Sequence, residues 1–522
     1  MSTVWKEELE VEKLKKIIKE NVTYFMVLLC LVFLTISLFV TKNYTLDTEH
    51  MPLQLDTFEK VIISSIIVEG IIYFFLLNLA KKRDFKLENI FLIVAIPIGI
   101  AYIIALPIGT IPDDQTHYLR SWEVSLGYPV SEQSENGDGG RVLPINLSEI
   151  LFNVGTHNYE EYFQTATDET LKEEMVFQWF SNASLYSFIC YLPQALGIAF
   201  ARIFTDNLLV MAYLARIYNF VFFIALVYFS IKIIPFKKMF VTTIALMPIV
   251  FQEAVSVSPD AITIAISMML ISYTLYLKYS DKNITKKNIV ILTFLSVILS
   301  LCKIVYVPIC FIIYTISCEK FKNKKQKYLL LTSIILIAIV INLLWLGYSS
   351  RYLIEYNEGV NSKEQIRFIL TNPIDYMSVV IKILINRSDV YISNILGDLS
   401  LLNVSLSPIF KSLLFIILIS IMCLNNSKNC KVDSPTRIII SCTIISVIAL
   451  IFTSLYVQWN PVKNVVIEGV QGRYFIPILI LTPYLFNNSY LVSDKKMSAR
   501  YLLMFMMFLN LHAISYISIL YK

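Results

Sequence analysis

Residues Leu87 to Ile108 read LENIFLIVAIPIGIAYIIALPI, an apolar run whose one charged residue is Glu88. A helix of this length crosses the roughly 30 Å of hydrocarbon in a bilayer. Similar apolar runs recur along the chain as far as Leu520. The sequence therefore predicts an all-α polytopic membrane protein built as a bundle of transmembrane helices.

The composition excludes several other classes of protein. Of the 522 residues, 56% are hydrophobic and 16% are charged, whereas about a quarter of the residues in soluble domains are charged. The 44 Lys and Arg against 39 Asp and Glu give a net charge of +5, an excess too small to indicate a nucleic-acid partner. The 8 cysteines show no CxxC or Cys/His ligand spacing, so neither a disulfide framework nor a zinc site is predicted.

The basic residues in the short turns predict the orientation, because Lys and Arg are retained on the cytoplasmic side. The residues before the first apolar run mix Lys and Glu and lead to no cleavage site, so we expect a cytoplasmic N-terminus. Counting outward predicts roughly 13 transmembrane helices, an external C-terminus and external loops at about 111–206 and 347–411. Residues 1–86 would hold a cytoplasmic helix and two extra transmembrane helices, and residues 87–522 the main membrane domain.

Two stretches decide which residues share a side of the membrane. A full span at Tyr186 to Phe204 would place the lysines around Lys237 outside, so we expect this stretch to be interfacial or re-entrant. The parity of the count is then restored if Ile289 to Ser317 forms two short helices that break at Cys302 and Lys303. This arrangement places Asp260 on the external side.

The sharpest local motif, IPDDQTHYLR at Ile111 to Arg120, directly follows the first quoted run. A helix that begins near its proline would carry Asp113, His117 and Arg120 on one face. Asp114 would lie on the adjacent face. A carboxylate held in this way can act as a general base. The alternative is that both acids complement the helix dipole without a catalytic role, and the pattern by itself favours this alternative.

Two cations in apolar surroundings are candidate ligands for a phosphate group. A Lys such as Lys303 costs about 2.5 to 3.5 kcal/mol at a helix centre unless it reaches water or an anion. It binds a lipid phosphate or marks a polar break between helices. Arg473 follows Gln471, and the glycines on both sides of Gln471 would let the backbone approach a ligand. The alternative for Arg473 is an interfacial anchor, and for Arg216 a structural ion pair is expected.

Two further acids lie near the same predicted face. Asp260 ends the sequence SVSPD, which suits either a helix start or a substrate contact. Glu253 ends an apolar run, where water can hydrate a carboxylate, so a structural role is expected for it.

These stretches together resemble a family of bacterial polytopic membrane proteins known as domain-of-unknown-function family 2142. The resemblance extends from about Leu87 to Leu520, and its most specific part is the sequence QGRYFIP. It rests on six stretches, which are Ile111–Arg120, Tyr191–Gly197, Leu214–Asn219, Ser256–Thr263, Cys302–Pro308 and Gly469–Pro477.

That family looks like the GT-C superfamily of glycosyltransferases, which take a sugar from a polyprenyl-phosphate donor on the outer face of the membrane. In that superfamily an acid in the first large external loop is the base, which corresponds here to Asp113 or Asp114. The resemblance therefore implies a GT-C-like helical bundle and favours the catalytic interpretation of these two residues. This implication is an analogy between folds.

We therefore expect an inverting glycosyltransferase of the cytoplasmic membrane that acts on an extracytoplasmic cell-envelope glycan or a lipid-linked acceptor. No cofactor is required, although a divalent metal held by Asp113, Asp114 and Asp260 stays an open alternative. A transporter, flippase or polymerase of lipid-linked polysaccharide is the rival function, and the sequence shows no inverted repeat of the carrier type. The expected substrate-binding residues are His117, Arg120, Asp260, Lys303, Gln471 and Arg473.

Overall fold

The computed structural model describes residues 86–151, 159–354, 357–423, 432–486 and 495–521. The predicted N-terminal helix and the two transmembrane helices before residue 86 lie outside this part of the chain. In chain order the α-helices are α1 (Leu87–Ala105), α2 (Asp114–Ser125), α3 (Tyr159–Asp168), α4 (Ser181–Ser184), α5 (Leu192–Ala201), α6 (Leu208–Ile233), α7 (Lys238–Ala245), α8 (Pro248–Ala254), α9 (Asp260–Tyr279), α10 (Lys286–Cys302), α11 (Lys324–Ser349), α12 (Ser362–Thr371), α13 (Pro373–Asn386), α14 (Ser388–Gly397), α15 (Pro408–Cys423), α16 (Ser434–Gln458), α17 (Ile476–Leu479) and α18 (Lys495–Leu520). The strands are β1 (Glu132–Gln133), β2 (Gly139–Pro144), β3 (Met175–Trp179), β4 (Asp398–Leu399) and β5 (Val404–Ser405).

Five helices in the described ranges are long and apolar enough to cross a bilayer, namely α1, α6, α9, α11 and α16. Helices α12 and α13 pass the same test together, but they are bent by 103° at their junction. The described chain thus holds five candidate spans, or six if the bent pair is one span. The membrane class is as predicted, whereas the count of roughly 13 spans is not confirmed.

Short buried helices account for part of the difference. The apolar run Val241–Phe251 is broken into α7 and α8, and Pro248 begins the second helix. Every residue of α8 is buried. A run buried inside the protein gives the same hydrophobic signal as a lipid-facing run. These two helices therefore fill the interior of the bundle.

The predicted break at Cys302 and Lys303 is confirmed. Helix α10 ends at Cys302, and Lys303 is extended, with φ −152° and ψ 127°. The chain then forms a 3-10 helix at Ile304–Thr315. A charged residue inside an apolar stretch thus ends one helix and precedes the next.

The stretch predicted to be interfacial or re-entrant is short. It comprises a 3-10 turn, Phe188–Tyr191, followed by α5. At 1.5 Å per residue a helix over Phe188–Ala201 covers about 21 Å, less than the thickness of the hydrocarbon. Gly197 lets this helix lie against α6, because an added Cβ would come within 2.4 Å of the Leu214 carbonyl oxygen.

The first predicted external loop contains a folded unit, here called the β-subdomain (residues 111–151 and 159–185). Its three strands pair antiparallel in the order β1-β2-β3, with Val142 opposite Phe177. It is attached to the end of α11, because Gln133 Nε2 donates to the Arg351 carbonyl at 2.8 Å and the Tyr352 hydroxyl donates to the Ser131 carbonyl. The all-α prediction did not include this sheet or the β4-β5 hairpin.

The basic turns lie at the end of the bundle opposite Asp260. Asp260 begins α9, and Lys278 lies in its last turn, so at 1.5 Å per residue the two are about 27 Å apart along the helix. Lys278 binds Asp433 at 2.6 Å, just before α16. The structure therefore agrees with the predicted separation of Asp260 from the basic turns.

Candidate functional site

Asp113 lies between α1 and α2 in a left-handed backbone conformation, with φ 66°. A non-glycine residue pays for this conformation with roughly 1 to 2 kcal/mol of strain. Its carbonyl accepts from the His117 amide, but its side chain makes no capping hydrogen bond. The carboxylate instead lies 3.5 Å from Arg473 Nη2, and the side chain is 48% exposed. The Asp113 side chain therefore does not cap α2 by a hydrogen bond, although the residue lies at the N-terminus of this helix.

Asp114 points into the protein interior and is fully buried. Its carboxylate accepts from Arg216 Nη2 at 3.3 Å, the Gly109 amide at 3.0 Å and the Val257 amide at 3.4 Å. Arg216 also donates to the Leu106 carbonyl at 2.6 Å. Asp114 therefore ties α2 to the end of α1, to α6 and to the turn before α9, and Arg216 forms the structural ion pair that the sequence predicts.

Arg473 is surrounded by three carboxylates. Its guanidinium nitrogens lie 3.4 Å from Glu253, 3.5 Å from Asp113 and 3.6 Å from Asp260. Arg473 follows α16 in a 3-10 turn, Gly472–Phe475, while Glu253 is in α8 and Asp260 begins α9. Three separate parts of the chain therefore converge on one cation.

Lys303 completes this group of charges. Its Nζ lies 2.5 Å from Asp260 Oδ1, 4.9 Å from the centre of the Tyr474 ring and 5.4 Å from the Tyr186 ring. An ammonium this close to aromatic faces gains cation–π stabilisation. Lys303 thus joins Arg473 through their shared partner Asp260. We call Asp113, Glu253, Asp260, Lys303 and Arg473 the ion cluster.

The ion cluster has more acids than bases. With every member ionised, three carboxylates face two cations, for a net charge of −1. Four of the five side chains are nearly buried, with exposures of 0% to 14%, so their interactions are screened less than surface pairs. Asp113 is the accessible member.

His117 lies beside the ion cluster. Its Nδ1 is 2.8 Å from the Tyr191 hydroxyl, and its ring packs edge-on against Tyr186. Burial lowers the pKa of His117 to about 4, although the carboxylates of Asp113 and Asp260 act in the opposite direction. The imidazole is therefore neutral near pH 7.

Arg120 does not join the ion cluster through any of its hydrogen bonds. Its guanidinium binds the Glu123 carboxylate and donates to the Pro129 carbonyl at 2.7 Å. Glu123 also accepts from Arg141 at 2.7 Å. These buried pairs stabilise the β-subdomain, so Arg120, which the sequence predicts as a substrate-binding residue, binds Glu123 and the Pro129 carbonyl in the structure.

Gln471 and its glycines give a mixed result. The Oε1 atom of Gln471 is buried and has no hydrogen-bond partner among the described residues. The close approach that Gly472 permits is to helix α14 rather than to a ligand, because an added Cβ would lie 2.7 Å from the Ile395 amide nitrogen. Gly469 has φ +83° and packs near Trp459.

The three acids considered as metal ligands do not form one group. Asp114 faces Arg216, while Asp113 and Asp260 face Arg473. Within the described ranges, no group of three or more His, Cys, Asp or Glu side chains is arranged to hold a metal ion.

Sequence reasoning assigned no site role to Glu253, Tyr186, Tyr191 or Tyr474. Tyr474 directly follows Arg473 in the motif QGRYFIP, so its place in this motif is a signal from which its proximity to the ion cluster could be predicted. No local sequence pattern indicates the role of Glu253, since its partner Arg473 lies 220 residues further along the chain.

Comparison with known families identifies the chain. A family model described as predicted membrane protein, DUF2142, matches residues 96–482, about three quarters of the sequence. The chain therefore belongs to this family, and every member of the ion cluster lies inside the matched region. No curated protein and no solved structure matches the chain.

Proposed function

We propose that this DUF2142-family protein is an inverting membrane glycosyltransferase that moves a sugar from a polyprenyl-phosphate donor to an extracytoplasmic glycan or lipid-linked acceptor. The observation that carries the proposal is the placement of Asp113, which is 48% exposed and lies 3.5 Å from Arg473. The same cluster holds a second cation, Lys303. An accessible base beside two cations suits the transfer of a group from a phosphate to a hydroxyl.

In the proposed reaction an acceptor hydroxyl attacks the anomeric carbon of the donor sugar. A carbon–oxygen bond forms on one face while the bond to the phosphate oxygen breaks on the other, which inverts the configuration. The Asp113 carboxylate takes the hydroxyl proton, and the bonding electrons leave with polyprenyl phosphate. The general base contributes typically about 10²- to 10⁴-fold to the rate of such a step.

Lys303 and Arg473 stabilise the phosphate that leaves. The pairs between Arg473 and its carboxylates are long, at 3.4 to 3.6 Å, compared with the 2.7 to 2.9 Å of a strong charge-assisted bond. A phosphate oxygen can therefore compete for the guanidinium without displacing an optimal pair. Lys303, whose ammonium is bound at 2.5 Å, supplies the second positive charge.

Neighbouring residues take distinct roles in this proposal. Asp114 is fully buried against Arg216, so we assign it to structure and Asp113 to base catalysis. His117, neutral and bound to Tyr191, orients the sugar side of the site. The Oε1 atom of Gln471, which is buried without a hydrogen-bond partner among the described residues, accepts a hydrogen bond from a sugar hydroxyl in this proposal.

The proposed setting is the cytoplasmic membrane, with the N-terminus in the cytoplasm and the ion cluster on the outer face. It is supported by the lysines of the opposite turns, since Lys and Arg are retained inside. The chemistry as written needs no metal ion, because two protein cations face the phosphate.

The deciding experiment compares wild type with Asp113→Asn in membranes supplied with polyprenyl-phosphate sugars. Asn keeps the volume and the hydrogen bonding of the side chain but loses its basicity. We expect turnover to fall by about 10²- to 10⁴-fold while donor binding is retained. The matched control is Glu149→Gln, which removes an exposed acid of the β-subdomain that pairs with Lys172 and should transfer at the wild-type rate.

Turnover of Asp113→Asn at the wild-type rate would reject Asp113 as the base. If wild type transfers no sugar from any donor but lipid-linked sugar crosses the membrane faster in its presence, the carrier function takes the place of the enzyme.

A further inference from the structure

Glu253 is the most deeply buried acid of the ion cluster. Its side chain is 0% exposed, and both carboxylate oxygens lie 3.4 Å from Arg473 Nη1. An ionised carboxylate buried in this way is costly unless it is paired. Glu253 therefore depends on Arg473, and Arg473 is held between this buried acid and the accessible Asp113.

The charges of the ion cluster make the binding of an anion unfavourable without a compensating step. With all groups ionised, the cluster already carries a net charge of −1, and a phosphate ester adds at least one more. Like charges repel strongly where water is excluded. The uptake of one proton by a carboxylate removes the added repulsion.

Glu253 is the carboxylate best placed to take this proton. Asp260 is held at 2.5 Å by Lys303, which stabilises its charged form, and Asp113 is half-exposed to water. Once a phosphate draws the guanidinium of Arg473 away, the charged form of Glu253 is stabilised neither by a lysine nor by water.

We infer that Glu253 is a positioning residue that holds Arg473 beside Asp113 in the free protein and takes up one proton when an anionic phosphate ester binds the ion cluster. The inference rests on the phosphate site of the proposed function, but it does not require that sugar be transferred. Phosphate binding is therefore coupled to pH through a residue that touches neither the sugar nor the acceptor.

The titration behaviour of Glu253 agrees with this geometry. Burial raises the pKa of Glu253 to about 7, while Arg473 lowers it and Asp260 raises it. A bound anion that draws Arg473 away raises this pKa further. Proton uptake is thus expected above about pH 7, where the free carboxylate is largely ionised.

The described side chains of the elements that pack against α8 include further charged groups and one histidine, which are Glu88 of α1, Arg216 and Lys232 of α6, Lys238 of α7, Lys278 of α9, Asp389 of α14, Asp398 of β4 and His512 of α18. Lys278 binds Asp433, and His512 packs against Phe410 and Tyr516. Arg216 of α6 binds Asp114. Glu88 of α1 lies 3.9 Å from Lys238 of α7, and Asp398 of β4 binds Lys411. The charges that act directly on Glu253 are Arg473, Asp260 and Lys303.

The test is calorimetric titration of the purified full-length protein with a short-chain prenyl methyl phosphodiester. This probe carries one negative charge that does not titrate near pH 7, so any proton taken up belongs to the protein. Titrations at pH 8 in two buffers of different ionisation enthalpy give the number of protons bound. We expect wild type to take up close to one proton at pH 8 and few at pH 6, and its affinity to fall by up to tenfold per pH unit above pH 7.

Glu253→Gln isolates the residue responsible. The amide still accepts from Arg473 but cannot titrate, so we expect no proton uptake at pH 8 and an affinity that is flat between pH 6 and 8. Glu149→Gln is the control that should keep the wild-type proton uptake, since Glu149 is an exposed acid that pairs with Lys172 outside the ion cluster.

Three results would overturn the inference. They are binding by wild type at pH 8 without proton uptake, full uptake in folded Glu253→Gln, and the absence of phosphodiester binding by folded wild type. If wild type takes up the expected proton on binding the phosphodiester but transfers no sugar, the proposed glycosyltransferase activity is contradicted and the inference about Glu253 is not.

Discussion

Two adjacent aspartates have opposite environments, and the backbone at Asp113 causes the difference. The left-handed conformation at this residue, with φ 66°, turns its side chain toward Arg473. Asp114 then begins the helix and points into the core toward Arg216. Strain of this kind persists where the surrounding structure holds it, and it is concentrated at functional sites. The backbone geometry of Asp113 therefore supports the proposed role of this residue.

The first prediction separates these two aspartates by stability. Asp114→Asn leaves Arg216 buried without its counter-charge, and breaking a buried pair costs about 3 to 5 kcal/mol. Asp113→Asn removes a partly exposed pair, which is worth about 1 kcal/mol or less. We expect thermal unfolding in detergent to show a large loss for the Asp114 variant and a small loss for the Asp113 variant. Equal losses in the two variants would contradict the assigned roles.

The second prediction concerns the pH dependence of stability through His117. Its pKa is about 4 in the folded protein and about 6.5 in the unfolded chain, so the unfolded state binds more protons between these values. The stabilising contribution is complete above pH 6.5 and is lost as the pH falls toward 4. Its magnitude is on the order of 3 kcal/mol.

Unfolding measured between pH 4 and 7 checks this prediction. His117→Gln should flatten that part of the stability profile by the same amount, whereas Asp113→Asn should leave the acid loss in place. A profile of His117→Gln that matches wild type would show that another group controls acid stability.

At the scale of elements, short helices pack closely around the ion cluster because glycines are placed where backbones meet. Gly197 lies at the contact between α5 and α6, and Gly472 lies at the contact between the Arg473 turn and α14. In both places an added Cβ would meet the backbone of the neighbouring helix. The position of Arg473 thus depends on a helix contact that holds the preceding residue.

The third prediction uses Gly472 with a matched glycine. In Gly472→Ala the new Cβ would lie 2.6 Å from Asn394 Cβ and 2.7 Å from backbone atoms. We expect a loss of about 1 to 3 kcal/mol and weaker phosphodiester binding, because the turn must move. Gly347→Ala in α11 meets nothing within 4 Å, and Ala is favoured over Gly in a helix by about 0.5 to 1 kcal/mol. The control should therefore keep or gain stability, and a neutral Gly472→Ala would contradict the close contact.

The sequence predicts elements well where a charge or a proline interrupts an apolar run. Lys303 marks the end of α10 because a lysine is costly in hydrocarbon. The basic residues of the turns, Lys278 among them, correctly predict the end of the bundle opposite Asp260. The sequence cannot distinguish a lipid-facing run from a buried run such as α8. This ambiguity accounts for part of the excess of predicted spans over the long helices in the described residues. The partner of Glu253 was also beyond prediction, since contact with Arg473 depends on tertiary packing.

At the scale of the whole molecule, the ends of several helices meet at one face. Asp113 follows α1, Asp260 begins α9, Lys303 follows α10 and Arg473 follows α16. The contacts among these four residues require the helix ends to lie on the same side of the bundle. Lys278 and its partner Asp433 lie on the opposite side.

The fourth prediction assigns these two sides to the two compartments. Asn136 lies in the exposed turn between β1 and β2, and Lys282 lies in an exposed basic turn. A membrane-impermeant maleimide should label Asn136→Cys in intact cells and Lys282→Cys only after the inner face is opened, with wild type measuring the background from native cysteines. The reverse pattern would place the ion cluster in the cytoplasm and exclude an extracytoplasmic acceptor.

The long sequence separations within the ion cluster determine when it can form during synthesis. Asp260 and Lys303 are 43 residues apart, so a nascent chain can neutralise this pair soon after both have left the ribosome. Arg473 lies 360 residues after Asp113, so this pair can form only after most of the bundle has been synthesised. A chain released before residue 473 therefore carries the Asp113 carboxylate without its guanidinium partner.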